Sequence, residues 1–250
     1  MSQYNTLSRK RPLVWAHRGA SGYAPENTVE AFQLAVDMKA DGIETDVYFT
    51  ADRKIIICHD EKIDRVSNGQ GSVTEYTVEE LKKFDFGCKF YNGERKGIRI
   101  ASLDELYDLY RSNDMEINVE IKSADAEMPA ALIKTAAEFG ISERVVYSSF
   151  NHLQLKRILD IDGGARVAPL YSANWLNMDK YAENMGAFAI HPHMAQVRAF
   201  ATLVEDCHRK GIAVNPWTVN SEDDIADMIK AGSDAIITNY PDRVLDQLNK

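Results

Sequence analysis

The most restrictive feature of this sequence is a regular alternation of two patterns. Short apolar or β-branched runs fall at Leu13–Ala16, Gly42–Phe49, Glu116–Ile121, Val145–Ser148, Arg166–Leu170, Ala187–Ile190, Ile212–Asn215 and Ala235–Thr238. Between them lie stretches with helical spacing, at Thr28–Lys39, Leu103–Arg111, Pro129–Phe139, Leu153–Ile161, Ala195–Lys210 and Asp223–Lys230. Strands separated by helices pair in parallel, because each helix carries the chain back to the start of the next strand. Eight such strands in 250 residues predict an α/β fold of the closed (β/α)8 TIM-barrel type rather than an open sheet. An open dinucleotide-binding sheet would carry a glycine-rich phosphate turn after its first strand, and His17-Arg18-Gly19-Ala20 is not one. A chain of this length fits one domain, here residues 1–250.

Local punctuation supports the element boundaries. Asn27 with Glu30, Ser102 with Glu105 and Ser221 with Asp224 have the spacing of helix N-terminal capping pairs. Gly140, Gly211 and Gly232 each follow a helical stretch and precede a strand, as a glycine just past a helix does. The alternation breaks once. At about residues 60–97 the chain turns polar and turn-rich, with one short helical stretch at Val78–Phe84, which predicts a small insertion after the second strand unit. A segment of that length in a compact domain usually serves function.

Composition narrows the class of function. With 45% hydrophobic and 27% charged residues, the chain has the balance of a globular protein. Residues 1–12 are basic but lead into no apolar leader segment, and no charge-free run holds the ~20 apolar residues that a bilayer span needs. Three widely spaced cysteines, Cys58, Cys88 and Cys207, offer neither a zinc nor a disulfide framework. These features lead us to expect a cytoplasmic protein with reduced thiols and no stable membrane insertion. A formal charge of −9, from 29 basic and 38 acidic residues, and the lack of a clustered basic face exclude a nucleic-acid binder. An anionic small molecule remains compatible if local cations reverse the sign at one site.

In such a barrel, chemistry collects at the C-terminal strand ends. The first strand ends in His17-Arg18-Gly19. The second carries Glu44-Thr45-Asp46, whose two carboxylates share one face because side chains alternate along a strand. The third carries Glu120-Ile121-Lys122, and His59-Asp60 follows the run Ile55–Cys58 beside strand two. Adjacent buried carboxylates repel unless a cation lies between them. An all-oxygen donor set suits Mg²⁺ or Ca²⁺ better than zinc. Each fragment alone reads as a turn, an ion pair or a solvent-facing pair. Their convergence on one rim is what selects a site.

Taken in order, His17-Arg18-Gly19, Pro25-Glu26-Asn27-Thr28 with Ala31-Phe32, Glu44-Thr45-Asp46 and His59-Asp60 closely resemble the signature of the glycerophosphodiester phosphodiesterase family, bacterial cytoplasmic type. The resemblance extends to Glu120-Ile121-Lys122, Asn215-Pro216-Trp217-Thr218-Val219 and Ile237-Thr238-Asn239-Tyr240-Pro241, and so spans nearly the whole chain. It implies metal-dependent hydrolysis of glycerophosphodiesters, such as glycerophosphocholine or glycerophosphoethanolamine, to glycerol 3-phosphate and an alcohol. Carried onto this sequence, Glu44, Asp46 and Glu120 bind one divalent cation, Mg²⁺ or Ca²⁺. His17 and His59 act as general base and general acid, and Arg18 and Lys122 hold the phosphate. Phe150 and Trp217 match the family's apolar rim and pack the glycerol or the alcohol.

Other readings stay open at this level. Lys122 as a Schiff-base lysine, a non-catalytic glycerophosphodiester-binding barrel, and a related phosphodiesterase acting on lysophospholipid or phosphoinositide each fit part of the pattern. The polar insertion around Ser67–Ser72 gives little sign of a lipid-binding mouth. The insertion fits a homodimer interface as easily as a lid. Asn27 reads as a helix N-cap or as an anchor near the metal, and His191-Pro192-His193 reads as a loop rather than a metal site. His152 and His208 read as structural, and Cys58 as an inert buried thiol.

Overall fold

The computed structural model describes residues 10–249, so most of the basic stretch at 1–12, including Arg9, lies outside the described residues. The strands are β1 Leu13–His17, β2 Gly42–Phe49, β3 Ile55–Ile57, β4 Glu116–Ile121, β5 Val145–Ser149, β6 Arg166–Tyr171, β7 Ala189–Pro192, β8 Ala213–Val214 and β9 Ala235–Thr238. Eight of them form a nearly closed parallel barrel in the order β8-β7-β6-β5-β4-β2-β1-β9. Backbone bonds from Asp234 N to Val214 O (2.9 Å) and from Ile237 N to Pro216 O (3.0 Å) bring the two ends together. β3 stands apart. It pairs antiparallel with β2, forming the hairpin that carries His59.

The helices are α1 Val29–Asp37, α2 Val78–Leu81, α3 Leu103–Tyr110, α4 Met128–Glu138, α5 His152–Ile161, α6 Met178–Met185, α7 Met194–Ala199, α8 Leu203–His208, α9 Glu222–Lys230 and α10 Pro241–Leu248. Ser102 caps α3 in a full capping box with Glu105, and Ser221 accepts from Asp224 N at the start of α9. Gly140, Gly211 and Gly232 take the expected left-handed conformation. The structure departs from the sequence reading in three places. The helical stretch at Ala195–Lys210 is two helices, α7 and α8, interrupted at Phe200–Thr202. Two further helices, α6 and α10, complete the ring. Thr28, not Asn27, caps α1 and accepts from Ala31 N, because Asn27 adopts φ +58° and turns its side chain inward.

The main core lies between the barrel and its helices. Inside the barrel, Trp15 fills the axis against small side chains, among them Ala168, Ala189, Ala213 and Ala235. Gly42 makes room for it. A Cβ there would fall 2.6 Å from Glu116 O and 2.8 Å from Trp15 Cδ1. The insertion builds its own small core from Ile63, Val73, Leu81 and Phe86 against Ile56, Cys58 and Ile100. That core anchors the segment beside the hairpin and so places residues 59–65 at the barrel mouth.

Candidate active site

The ends of β1, β2, β4 and the hairpin converge. One pocket at the C-terminal end of the barrel is lined by His17, Arg18, Glu44, His59, Glu120, Lys122, Phe150 and Trp217, with Asn118 among its other walls. Asp46 lies just behind, fully buried. Ligand oxygens of Glu44, Asp46 and Glu120 lie within 4.8 Å of one another, and all three residues are buried. The strand registers explain this: Glu44 pairs with His17 across β1 and β2, and Asp46 pairs with Glu120 across β2 and β4. Nine of the nine residues singled out from the sequence therefore meet at one place.

The electrostatics match a cation site. Burial, reinforced by Asp46 and Glu120, pushes Glu44 well above the usual carboxylate range. Burial and then Asp46 push Glu120 up to about 7. Asp46 is the exception. Burial opposes its ionisation, but Arg18, His59, Lys122 and the Asn27 amide outweigh that and hold it below its ordinary value. Asp46 Oδ1 accepts no hydrogen bond although it is buried. Three clustered carboxylates that cannot all ionise unaided, with one oxygen unsatisfied, fit a hard divalent cation.

The two histidines are held alike. His17 Nδ1 lies 2.6 Å from Asn239 Oδ1, and His59 Nδ1 lies 2.7 Å from Asp60 Oδ1. Each acceptor fixes the ring proton on Nδ1 and leaves the Nε2 lone pair for the site. His17 Nε2 stands 3.8 Å from Glu44, and His59 Nε2 accepts from Lys122 Nζ at 3.2 Å. Burial, with Arg18 adding to it, depresses His17 to about 4. His59 is lowered first by burial, then by Arg18 and Lys122. The His17 ring is thus neutral near pH 7. Lys122 bonds Glu120 at 2.8 Å, and although burial disfavours its charge, Glu120 and Asp46 keep it protonated. A charged lysine cannot open a Schiff-base route, which needs a free amine. Arg18 adopts φ +57°, a strained conformation of the kind that clusters at functional sites, and its backbone N–H donates to Glu44 O at 2.9 Å.

The glycerophosphoryl diester phosphodiesterase family model matches residues 17–243. The chain belongs to this family. It is 40% identical to the glycerophosphodiester phosphodiesterase of Caldanaerobacter subterraneus subsp. tengcongensis over 96% of this chain and 99% of that protein. It is 36% identical to the glycerophosphodiester phosphodiesterase of Bacillus altitudinis over 93% and 96% of the two chains. These relatives make it an enzyme of the glycerophosphodiester phosphodiesterase class. The structure of an Oleispira antarctica phosphodiesterase in complex with the product sn-glycerol-3-phosphate superposes with a TM-score of 0.87, at 26% identity, covering 96% of this chain and 98% of that one. The glycerophosphodiester phosphodiesterase of Agrobacterium tumefaciens str. C58 superposes at 0.83, with 25% identity and coverage of 94% and 99%.

Several residues around this family's pocket take roles that the sequence left open or misassigned. Asn27 donates to Asp46 Oδ2 at 2.9 Å and accepts from Thr45 Oγ1 at 3.0 Å, so it anchors a carboxylate rather than a helix. His191 belongs to β7, not to a loop. It is fully buried, accepts from Asn215 Nδ2 at 3.0 Å and packs edge-on against Trp15. His193 caps α7. The mouth is also less polar than the insertion suggests. Of nine exposed large hydrophobics among the described residues, five (Phe150, Leu153, Trp175, Leu176 and Tyr181) stand on the loops and first turns after β5 and β6.

Proposed function

We propose that the enzyme hydrolyses glycerophosphodiesters such as glycerophosphocholine and glycerophosphoethanolamine to glycerol 3-phosphate and the free alcohol, with one divalent cation, Mg²⁺ or Ca²⁺. The observation that carries this reading is the pair of imidazoles, each tethered through Nδ1, with His17 Nε2 next to Glu44 and His59 Nε2 next to the Lys122 that bonds Glu120. Glu44, Asp46 and Glu120 hold the cation, which when bound polarises an oxygen and offsets charge developing on the phosphoryl group. Arg18 and Lys122 hold the phosphate oxygens, Arg18 through a fork and Lys122 as a point charge. Phe150 and Trp217 pack edge to face, 5.5 Å between ring centroids, and wall the apolar side of the bound diester.

His17 serves as the general base. A ring depressed to about 4 keeps its Nε2 lone pair free at neutral pH to take a proton from the attacking oxygen, that of water or of the substrate's own glycerol 2-hydroxyl. His59 serves as the general acid and must carry a proton on Nε2. The entering phosphodiester places negative charge beside Arg18 and Lys122, the two cations that depress His59, and so raises its proton affinity. Asp60 then supports the imidazolium through Nδ1. His59 delivers its proton to the departing alcohol oxygen, which as a poor leaving group needs one.

The test separates the two roles. His17→Ala and His59→Ala each lower turnover of glycerophosphocholine at least ~100-fold while the fold survives. A glycerophosphodiester with a p-nitrophenol leaving group needs no acid, so it restores turnover to His59→Ala but not to His17→Ala. Restoration in both variants, or near-normal turnover of either on glycerophosphocholine, removes the assigned roles.

One observation favours a second reading. The exposed apolar rim of Phe150, Leu153, Trp175, Leu176 and Tyr181 is wider than a small alcohol needs and suits a diester carrying an acyl chain, as in a lysophospholipid. The ratio of kcat/KM for lysophosphatidylcholine to that for glycerophosphocholine decides between them. We place the enzyme in the cytoplasm, acting on small molecules.

A further inference from the structure

One side chain of the insertion links two parts of the site. Arg65 ends a short 3-10 turn at Ile63–Arg65. Its two terminal nitrogens straddle Glu26, at 2.8 Å to Oε2 and 2.7 Å to Oε1, and its Nε lies 2.5 Å from Asp60 Oδ2. Each of these carboxylates grips a different part of the pocket. Glu26 Oε1 accepts from Arg18 at 3.0 Å, and Asp60 Oδ1 holds His59 Nδ1 at 2.7 Å. A continuous chain, Arg18–Glu26–Arg65–Asp60–His59, thus joins the end of β1 to the end of the β3 hairpin. It passes outside the barrel mouth, through a residue that the reaction itself does not need.

We propose that Arg65 is a positioning residue, fixing the general-acid arm and the phosphate-binding arm relative to one another; this rests on the hydrolytic roles given above to His59 and Arg18. The guanidinium is suited to the task by shape. Its planar fork spends one edge on Glu26 and its Nε on Asp60 at once, which a lysine ammonium cannot reproduce. Glu26 stays ionised despite burial because Arg65 and Arg18 hold it below its ordinary value. With Arg65 gone, Asp60 keeps only His59 and Glu26 keeps only Arg18, so each arm becomes free to drift. Misplacing an acid or an oxyanion donor by a fraction of an ångström is costly to catalysis even where stability hardly changes.

The molecule supplies its own control. Arg53 makes an equivalent fork, to Asp125 and Glu127 at 2.5 Å each. The side-chain exposures of Arg53 and Arg65 are nearly equal, at 47% and 50%, but Arg53 touches no residue of the pocket. Both arginines are about half exposed, and ion pairs that stay solvated at one partner contribute little to stability, so both arginine variants fold.

The experiment compares Arg65→Met, Arg65→Lys and Arg53→Met on glycerophosphocholine, with thermal unfolding measured for each. Loss of a residue that orients a catalytic histidine costs about 10-fold or more. We expect Arg65→Met to lower kcat by that factor and to raise KM, Arg65→Lys to recover little, and Arg53→Met to change neither. Millimolar guanidinium should restore part of the Arg65→Met loss, which no purely structural role predicts. ¹⁵N signals of the His59 ring give a readout independent of turnover. They should report one tautomer, with the proton on Nδ1, in the wild type and in Arg53→Met, and a mixture in Arg65→Met. Kinetics and His59 signals of Arg65→Met that match those of Arg53→Met overturn the proposal. A wild type inactive on every glycerophosphodiester, but with a His59 tautomer that still depends on Arg65, overturns the hydrolytic reading and leaves the positioning intact.

Discussion

His191 offers a direct test of how dry the barrel axis is. Its ring is fully buried, and burial alone depresses it to about 3; in the unfolded chain a histidine titrates near ~6.5. Between those values the unfolded state binds a proton that the folded state refuses, so stability falls as pH falls. Each pH unit below the unfolded value costs about 1.4 kcal/mol, which makes the loss at pH 5 about 2 kcal/mol relative to pH 7.5. Nothing further is lost once the folded ring itself titrates. His191→Gln removes the titration but retains an acceptor for the Asn215 amide that bonds the ring. Urea unfolding of both proteins at pH 7.5 and pH 5 isolates the effect, because all other titrating groups are common to the two. The wild type should lose about 2 kcal/mol more than His191→Gln over that interval. Parallel losses would mean that the folded ring already takes a proton at pH 5, and the dry-axis reasoning would be wrong.

Other outcomes follow from the same geometry. Asn27→Ala removes a donor to Asp46 and should weaken divalent-cation binding about 10-fold or more, read by calorimetric titration of the EDTA-treated protein. Gly42→Ala drives a methyl group into Trp15 and the Glu116 carbonyl; it should cost about 1–3 kcal/mol in urea unfolding, the usual range for overpacking. Burial pushes the Cys58 and Cys207 thiols up to about 12. At most one of the three cysteines should therefore react with a thiol reagent at pH 8 until the protein is unfolded.

Much of the fold was legible because it follows from periodicity and local chemistry. The β-branched runs give the strands, and Ser102 with Glu105 and the left-handed Gly140, Gly211 and Gly232 give boundaries that depend on a few neighbouring residues. Alternation along β2 put Glu44 and Asp46 on one face, and the parallel register with β4 brought Glu120 to them. What the sequence left open or missed depends on long-range contact. Asn27 has the local look of a cap, but Asp46 and Thr45, nearly twenty residues away, claim its amide. Asn239 orients His17 across 222 positions of chain. Arg65 sits in a stretch that reads as a polar loop until Glu26 and Asp60 are seen on either side. His191-Pro192-His193 looks like a turn because proline marks turns, yet β7 runs through it, with Trp15 packed against the His191 ring and Asn215 donating to its Nε2 inside the barrel.

The central claim is that a cation held by Glu44, Asp46 and Glu120 serves hydrolysis of a glycerophosphodiester. The measurement that tests it most directly is release of glycerol 3-phosphate from glycerophosphocholine in a coupled dehydrogenase assay, before and after EDTA and after returning Mg²⁺ or Ca²⁺. The account predicts release that EDTA abolishes and one of these cations restores, in the wild type but not in Glu44→Ala. Release that is indifferent to EDTA, or that survives Glu44→Ala unchanged, would contradict it.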